Sequence, residues 1–104
     1  MLFRSPETVA QIRAQMLKTT VAGYVGCCHA IRELNYLELL STLSLPAALI
    51  VGEDDPTAPV AAAEAMCQRI PRAKLTVIPA AAHLSNVEQT AAFNDAVGGF
   101  LRNC

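Results

Sequence analysis

Residues 45–59 have the sequence Leu45-Pro-Ala-Ala-Leu-Ile-Val-Gly-Glu-Asp-Asp55-Pro-Thr-Ala-Pro59, an apolar run that ends at a glycine and leads into an acidic turn. The apolar run is too short for a helix, and the proline and the glycine on either side of it interrupt regular structure. Such a run is typical of a strand buried inside a sheet. The stretch therefore predicts a buried strand that opens into a polar loop.

A second strand follows after one helix. Residues 75–78 are apolar and rich in β-branched side chains, and they stop at Pro79. The intervening helix is predicted from an apolar face made of Ala63, Met66, Cys67 and Ile70. Strand, helix and strand in about 35 residues form a βαβ unit, which pairs the two strands in parallel. After a loop over 80–88, a last helix presents Phe93, Ala96, Val97, Phe100 and Leu101 on one face.

The residues before this unit are predicted to be helical. Ser5 and Pro6 mark a helix start, and the apolar spacing after them predicts a helix from about Pro6 to Lys18. Thr20 can cap a second helix, which carries an apolar stripe, and a short third helix follows near Leu39. The stripe consists of Val21, Tyr24, Val25, Cys28 and Ile31.

The chain therefore has a helical segment, 1–44, and an α/β segment, 45–104, with the order β-α-β-α. Two parallel strands do not make a stable sheet alone, because parallel sheets are nearly always covered on both faces. We expect the chain to be the last third of a larger doubly wound α/β protein.

Composition narrows the possible partners. The chain has 104 residues with eight Lys and Arg against nine Asp and Glu, and it contains no basic block, which argues against binding to nucleic acid or to an anionic membrane. Apolar residues make up 53% and charged residues 16%, so we expect some apolar faces to be covered by a partner. That partner would be the missing N-terminal part of the protein or a second copy.

The same sequence predicts a cytoplasmic location. It has no apolar stretch long enough to span a membrane, and its first seven residues include an acid and a proline, unlike an export leader. The spacing of Cys27, Cys28, Cys67 and Cys104 fits neither a metal pair nor a disulfide framework, which favours reduced thiols.

The candidate chemistry lies in the two polar loops that follow the strands. In open α/β sheets ligands bind beyond the carboxyl ends of the strands, and parallel pairing brings these two loops side by side. The first loop offers Glu53, Asp54 and Asp55, and the second offers His83 and Ser85. A carboxylate that holds one imidazole nitrogen leaves the other able to take a proton, as in the supporting half of a Ser-His-Asp triad.

These loops resemble those of the α/β-hydrolases. In that family the catalytic acid stands three positions after the glycine that ends its strand, which is the position of Asp55 relative to Gly52. Twenty-eight residues after Asp55, the segment Ala-Ala-His83-Leu-Ser-Asn-Val-Glu-Gln89 resembles the family's histidine loop, in the family's order of acid before histidine. The resemblance implies the C-terminal portion of an α/β-hydrolase fold, with Asp55 and His83 as triad acid and base.

A finer resemblance joins the histidine loop to Ala22-Gly-Tyr-Val-Gly-Cys-Cys-His-Ala-Ile-Arg32. Together they look like the 3-oxoadipate enol-lactonase family of aromatic catabolism. This implies that segment 1–44 is the end of a helical cap over the active site, and that the substrate is a small acidic enol-lactone or a similar ester. No metal or organic cofactor is implied.

One part of the family pattern is absent. None of the four serines, Ser5, Ser41, Ser44 and Ser85, lies in a G-x-S-x-G elbow, and the oxyanion-hole loop that precedes it in the family is missing too. We expect the chain to carry acid and base without a nucleophile, and to be inactive alone. The alternatives are another α/β-hydrolase, such as an esterase, a carbon–carbon bond hydrolase or a haloperoxidase, and a non-catalytic interaction module or truncated product.

Each candidate residue also has a plainer interpretation. Asp55 could simply cap the following helix, and His83 could be a structural histidine. Cys27 and Cys28 are expected to be small buried helix residues. His29 is expected to pack or lie at the surface, and lining a substrate pocket is the alternative.

Two further side chains of the predicted cap, Arg32 and Tyr24, also have plainer interpretations. Arg32 is expected to be a solvated charge, and contact with an anionic substrate is the alternative. Tyr24 is expected in a core. Asp54, the neighbour of the triad candidate, is expected to face solvent.

Overall fold

A computed structural model describes residues 5–104 of the chain. Residues 1–4 lie outside the described residues. Two expectations concern them: the start of the helical segment 1–44 and the lack of an export leader. The described chain forms two compact units, residues 5–36 and residues 37–104. The assignment of 1–44 to a cap stays a prediction.

The first unit consists of two helices, α1 (Pro6–Met16) and α2 (Val21–Arg32). Both start where the sequence predicts, because a hydroxyl accepts a hydrogen bond from a first-turn N–H group: Ser5 from Thr8 at 3.3 Å and Thr20 from Gly23 at 3.0 Å. Helix α1 ends two residues before the predicted Lys18. None of the residues in these two helices is buried.

The second unit begins with a 3₁₀ helix over Leu37–Thr42, which is the predicted short third helix, and then contains the predicted βαβ unit. Strands β1 (Ala47–Gly52) and β2 (Ala73–Ile78) pair in parallel, and helix α3 (Val60–Arg69) connects them. The register aligns the last residue of each strand, Gly52 with Ile78, so that both loops leave the sheet at the same level.

Two helices follow the sheet. The predicted loop over 80–88 contains a one-turn helix, α4 (Ser85–Glu88), and the last helix, α5 (Thr90–Arg102), contacts both strands. Periodicity did not predict α4, because four residues are too few to display a helical repeat.

The apolar core of the second unit is small. Its buried apolar residues are Val51, Ile70, Ile78 and Ala81, while other apolar side chains such as Val77 and Leu101 stay exposed. Among the residues that the structure describes, β1 and β2 form a sheet of two strands only. Parallel sheets normally have both faces covered, so this unit presents apolar surface of the kind that is usually packed against further structure. No helix in the described range is long and apolar enough to cross a membrane.

Candidate active site

The acid turn after β1 holds Asp55 in a fixed orientation. Asp55 is buried, with 7% of its surface exposed, and its backbone N–H donates to the carbonyl of Gly52 at 3.2 Å. The carboxylate oxygen Oδ1 accepts the backbone N–H groups of Thr57 at 2.8 Å and of Ala58 at 3.0 Å. The turn therefore fixes one carboxylate oxygen and leaves the other, Oδ2, available to a partner.

The same contacts favour the ionised form of this carboxyl group. The backbone hydrogen bond from Ala58 lowers the pKa of Asp55 below its ordinary value, and the hydrogen bonds from His83 and Thr57 act in the same direction. Burial opposes them without reversing the result. Asp55 is thus a stable anion near neutral pH.

The histidine loop after β2 lies directly against the acid turn. The backbone N–H of Glu53 donates to the carbonyl of Ile78 at 2.9 Å, and that of Asp54 donates to the carbonyl of Ala81 at 2.9 Å. A Cβ at Gly52 would lie 2.2 Å from the carbonyl oxygen of Ala82, so only glycine permits this approach. The strand-ending glycine of the sequence motif therefore lets the two loops meet.

Asp55 and His83 form a hydrogen-bonded pair across these loops. His83 Nδ1 lies 2.9 Å from Asp55 Oδ2. An ionised carboxylate can only accept, so the imidazole carries its proton on Nδ1 and donates it to Asp55. Nε2 then keeps its lone pair and can act as a base. The predicted placement on neighbouring loops, within hydrogen-bond distance, is confirmed; their catalytic role stays a prediction.

The other acidic residues of the turn do not join this pair. Asp54 is exposed, as expected, and Glu53 is exposed with Oε2 at 3.4 Å from the backbone N–H of Ala80. Asp55 is therefore the acidic residue of this turn that contacts His83.

A cleft of about 240 Å³ runs along β1 beside the pair. Its walls are mostly apolar side chains of β1 and α3, and its polar groups are Asp55, His83 and the buried Ser85. The His83 side chain is 58% exposed, whereas that of Asp55 is 5% exposed. The base is therefore open to an incoming molecule, while the carboxylate that orients it is shielded.

Two hydrogen bonds of the histidine loop were not predicted from the sequence. The carboxylate of Glu88 accepts the N–H of Ala82 at 2.9 Å, and the side-chain amide of Gln89 donates to the carbonyl of Ala80 at 3.1 Å. Both residues lie in the segment around His83 that resembles the family's histidine loop, and this resemblance was the only sequence signal for them. Their hydrogen-bond partners depend on the path of the loop, which the sequence does not indicate. That path passes through a left-handed residue, Ala80, with φ of 53°.

The residues singled out on α2 are at the surface of their own unit. Cys27 and Cys28 are exposed, so the expectation of buried helix residues is wrong, and Tyr24 is 66% exposed rather than part of a core. A pair of helices has too little structure to cover an apolar stripe. His29 is exposed, and Arg32 makes an exposed ion pair with Glu33 at 3.3 Å.

Solved structures of other proteins resemble this chain. No family model matches the chain. A hydrolase from Pseudomonas aeruginosa PA01 superposes with a TM-score of 0.88 at 33% identity over 94% of this chain and 37% of its own. A thermophilic esterase from Thermogutta terrifontis superposes with a TM-score of 0.64 at 37% identity, over 65% of this chain and 25% of its own.

The structural similarity defines the class of fold: the chain has the C-terminal portion of the α/β-hydrolase fold. Within that class it is similar to 3-oxoadipate enol-lactonase 2 of Acinetobacter baylyi, with 36% identity over 98 residues, or 94% of this chain. The chain spans 36% of the length of that relative.

Proposed function

We propose that Asp55 and His83 are the acid and base of a Ser-His-Asp triad in an enzyme that hydrolyses a small acidic enol-lactone. The observation that carries this proposal is the 2.9 Å contact between His83 Nδ1 and Asp55 Oδ2, in which the second carboxylate oxygen is fixed by two backbone N–H groups. The similarity to an enol-lactonase supports the choice of substrate.

The reaction would proceed in two acyl-transfer steps. His83 Nε2 takes the proton of a serine hydroxyl as the serine oxygen attacks the lactone carbonyl, and Asp55 stabilises the imidazolium that forms. The ring C–O bond then breaks, and the leaving enol oxygen receives the proton from His83. In the second step His83 removes a proton from water as the water oxygen attacks the acyl-enzyme carbonyl. The ester bond to the serine oxygen then breaks, and His83 returns the proton to that oxygen, which releases the carboxylic acid and restores the serine.

The serine of this triad would come from outside the present sequence. None of its four serines lies in a G-x-S-x-G elbow, and the chain spans only 36% of the length of its enol-lactonase relative. Ser85 is two residues from His83 in the same loop, which makes it a poor candidate nucleophile. We therefore propose that the chain has no hydrolase activity by itself.

The cleft along β1 is the proposed contact with the rest of the enzyme. The strand pairs with β2 on one side only, and the cleft beside it is lined by Leu49, Val51 and Met66 among other apolar groups. We propose that the preceding part of the hydrolase covers this surface and brings its serine to His83. A second copy of the chain is the other candidate cover.

We place the enzyme in the cytoplasm, on the basis of its cysteine spacing.

A second candidate function is the hydrolysis of a simple carboxylic ester. The structural similarity to the Thermogutta terrifontis esterase favours it, since a triad of the same geometry serves both reactions. The acidic lactone carries a carboxylate and the simple ester does not. The preference of the enzyme for one substrate therefore depends on groups other than Asp55 and His83.

A chimera tests the proposal and separates the two substrates. This chain would replace the matching C-terminal portion of the Acinetobacter baylyi enol-lactonase, and purified chimera would be assayed with the enol-lactone and with an uncharged acetate ester. We expect turnover of the enol-lactone at a higher kcat/KM than the ester. Preference for the ester would favour the second candidate, and a folded chimera that hydrolyses neither would contradict both.

A further inference from the structure

The loop that carries His83 has a conformation that its own sequence does not favour. Ala80 has φ of 53°, in the left-handed region that residues with a Cβ rarely adopt. Ala81 is completely buried, and its carbonyl oxygen approaches the position that a Cβ on Gly52 would occupy. A loop of three alanines has no side-chain polar group to hold this path, so other residues must hold it.

Two neighbouring side chains hold this loop on either side of Ala81. Glu88 Oε2 accepts the backbone N–H of Ala82 at 2.9 Å, and Gln89 Nε2 donates to the carbonyl of Ala80 at 3.1 Å. Both side chains come from the end of α4, whose first residue, Ser85, is buried. The one-turn helix thus folds back onto the loop that precedes it.

The Glu88 contact acts on the residue immediately before His83. A hydrogen bond from a backbone N–H to a carboxylate is stronger than one to a neutral acceptor. Fixing the Ala82 peptide limits rotation of the chain at the point where the His83 side chain departs. Catalytic groups must be held closely, because a displacement of about 1 Å can lower a rate by about 100-fold.

We propose that Glu88 is a positioning residue: its carboxylate, through the Ala82 N–H, sets the orientation from which the His83 imidazole meets Asp55. Gln89 holds the other end of the loop and assists. The importance of Glu88 for catalysis rests on the proposed function, but its effect on the His83–Asp55 contact does not.

The test follows the hydrogen-bonded ring proton of His83 in the full chain, without any activity assay. The chain has only two histidines, so ¹H–¹⁵N spectra of the imidazole groups are assigned by comparison with His29→Gln. The probe is the exchange rate of the Nδ1 proton with water. Glu88→Met has similar volume but no acceptor, whereas Glu88→Gln keeps a carbonyl oxygen in place of the carboxylate.

We expect Glu88→Met to accelerate this exchange about tenfold or more, or to abolish the resonance, because losing a hydrogen bond to a charged group shifts an opening equilibrium by at least that factor. Glu88→Gln should restore slow exchange in large part. Glu64→Met, at an exposed position of α3, is the matched control and should exchange like the parent chain.

A merely structural role gives a different result. Glu88→Met would then lower the unfolding midpoint while the folded protein kept the parental Nδ1 exchange rate, and this outcome would overturn the proposal. If Glu88→Met does not fold, Glu88→Asp is measured in its place, since it keeps the charge but shortens the side chain by one methylene. Exchange in Glu88→Asp as slow as in Glu88→Gln would equally overturn it. Failure of the chimera to hydrolyse a lactone leaves this measurement unaffected.

Discussion

Gly52 is the point where the two loops of the site touch, and its replacement by alanine should force them apart. The added Cβ would lie 2.2 Å from the Ala82 carbonyl oxygen and 2.5 Å from that of Ala81. Both are backbone atoms, which cannot rotate away as the end of a side chain could. The closest contact must widen from 2.2 Å to about 3.4 Å before it becomes an ordinary van der Waals contact.

A movement of this size has a calculable cost. It stretches the hydrogen bond from the Asp54 N–H to the Ala81 carbonyl, now 2.9 Å, beyond the range of a hydrogen bond. Inserting a methyl group into a close-packed site costs about 1–3 kcal/mol, and a lost backbone hydrogen bond costs about 1 kcal/mol. Gly52→Ala should therefore lower the free energy of unfolding by about 2–4 kcal/mol.

Urea unfolding followed by circular dichroism measures this difference, at low micromolar protein to limit association. Gly26→Ala is the matched control, because nothing lies within 4 Å of a Cβ at Gly26 in the middle of α2. It should be neutral or more stable by up to about 1 kcal/mol, since alanine favours helix over glycine. A Gly52→Ala protein as stable as the parent chain would refute the close approach of the two loops.

Three further predictions concern the acid-base pair and the exposed sheet. Asp55→Asn should place an amide N–H opposite His83 Nδ1 and move the ring proton to Nε2, which ¹⁵N NMR detects; retention of the Nδ1–H form would contradict the assigned hydrogen bond. Because the pKa of Asp55 is lower in the folded chain, ionised Asp55 should stabilise the fold fully above about pH 4, and this stabilisation should disappear as the pH falls further. If acidification lowers the urea midpoint of Asp55→Asn as much as that of the parent chain, Asp55 is not the cause. The chain alone should self-associate at tens of micromolar in sedimentation experiments, owing to the uncovered β1–β2 sheet, and a sharp monomer would oppose the proposed covering segment.

The strands and the acid-base pair could be predicted because their signals are local. The apolar run 47–51 and the run 75–78 each end at a glycine or proline, which sets where each strand ends and the polar loop begins. Strand β2 starts two residues before its predicted run, at Ala73. Parallel pairing then places Asp55 near His83 without further information. The position three residues after Gly52 then distinguished Asp55 from Glu53 and Asp54.

The contacts of Glu88 and Gln89 could not be predicted in the same way. They depend on a left-handed backbone at Ala80, where the sequence has alanine and not the glycine that usually marks such a conformation. The exposure of Tyr24 and Cys28 has a related origin, since an apolar stripe indicates which face of a helix avoids water but not what covers it.

The chimera with the Acinetobacter baylyi enol-lactonase is the most direct test of the central proposal, that Asp55 and His83 are the acid and base of a serine hydrolase. Its kcat for the enol-lactone would be compared with that of His83→Ala and Asp55→Asn, using Asp54→Asn as the control at an exposed neighbour. We expect Asp55→Asn to lose about four orders of magnitude in kcat and His83→Ala about six, as in triads of this type, and the control to retain activity. A folded His83→Ala chimera with the parental kcat would contradict the assignment.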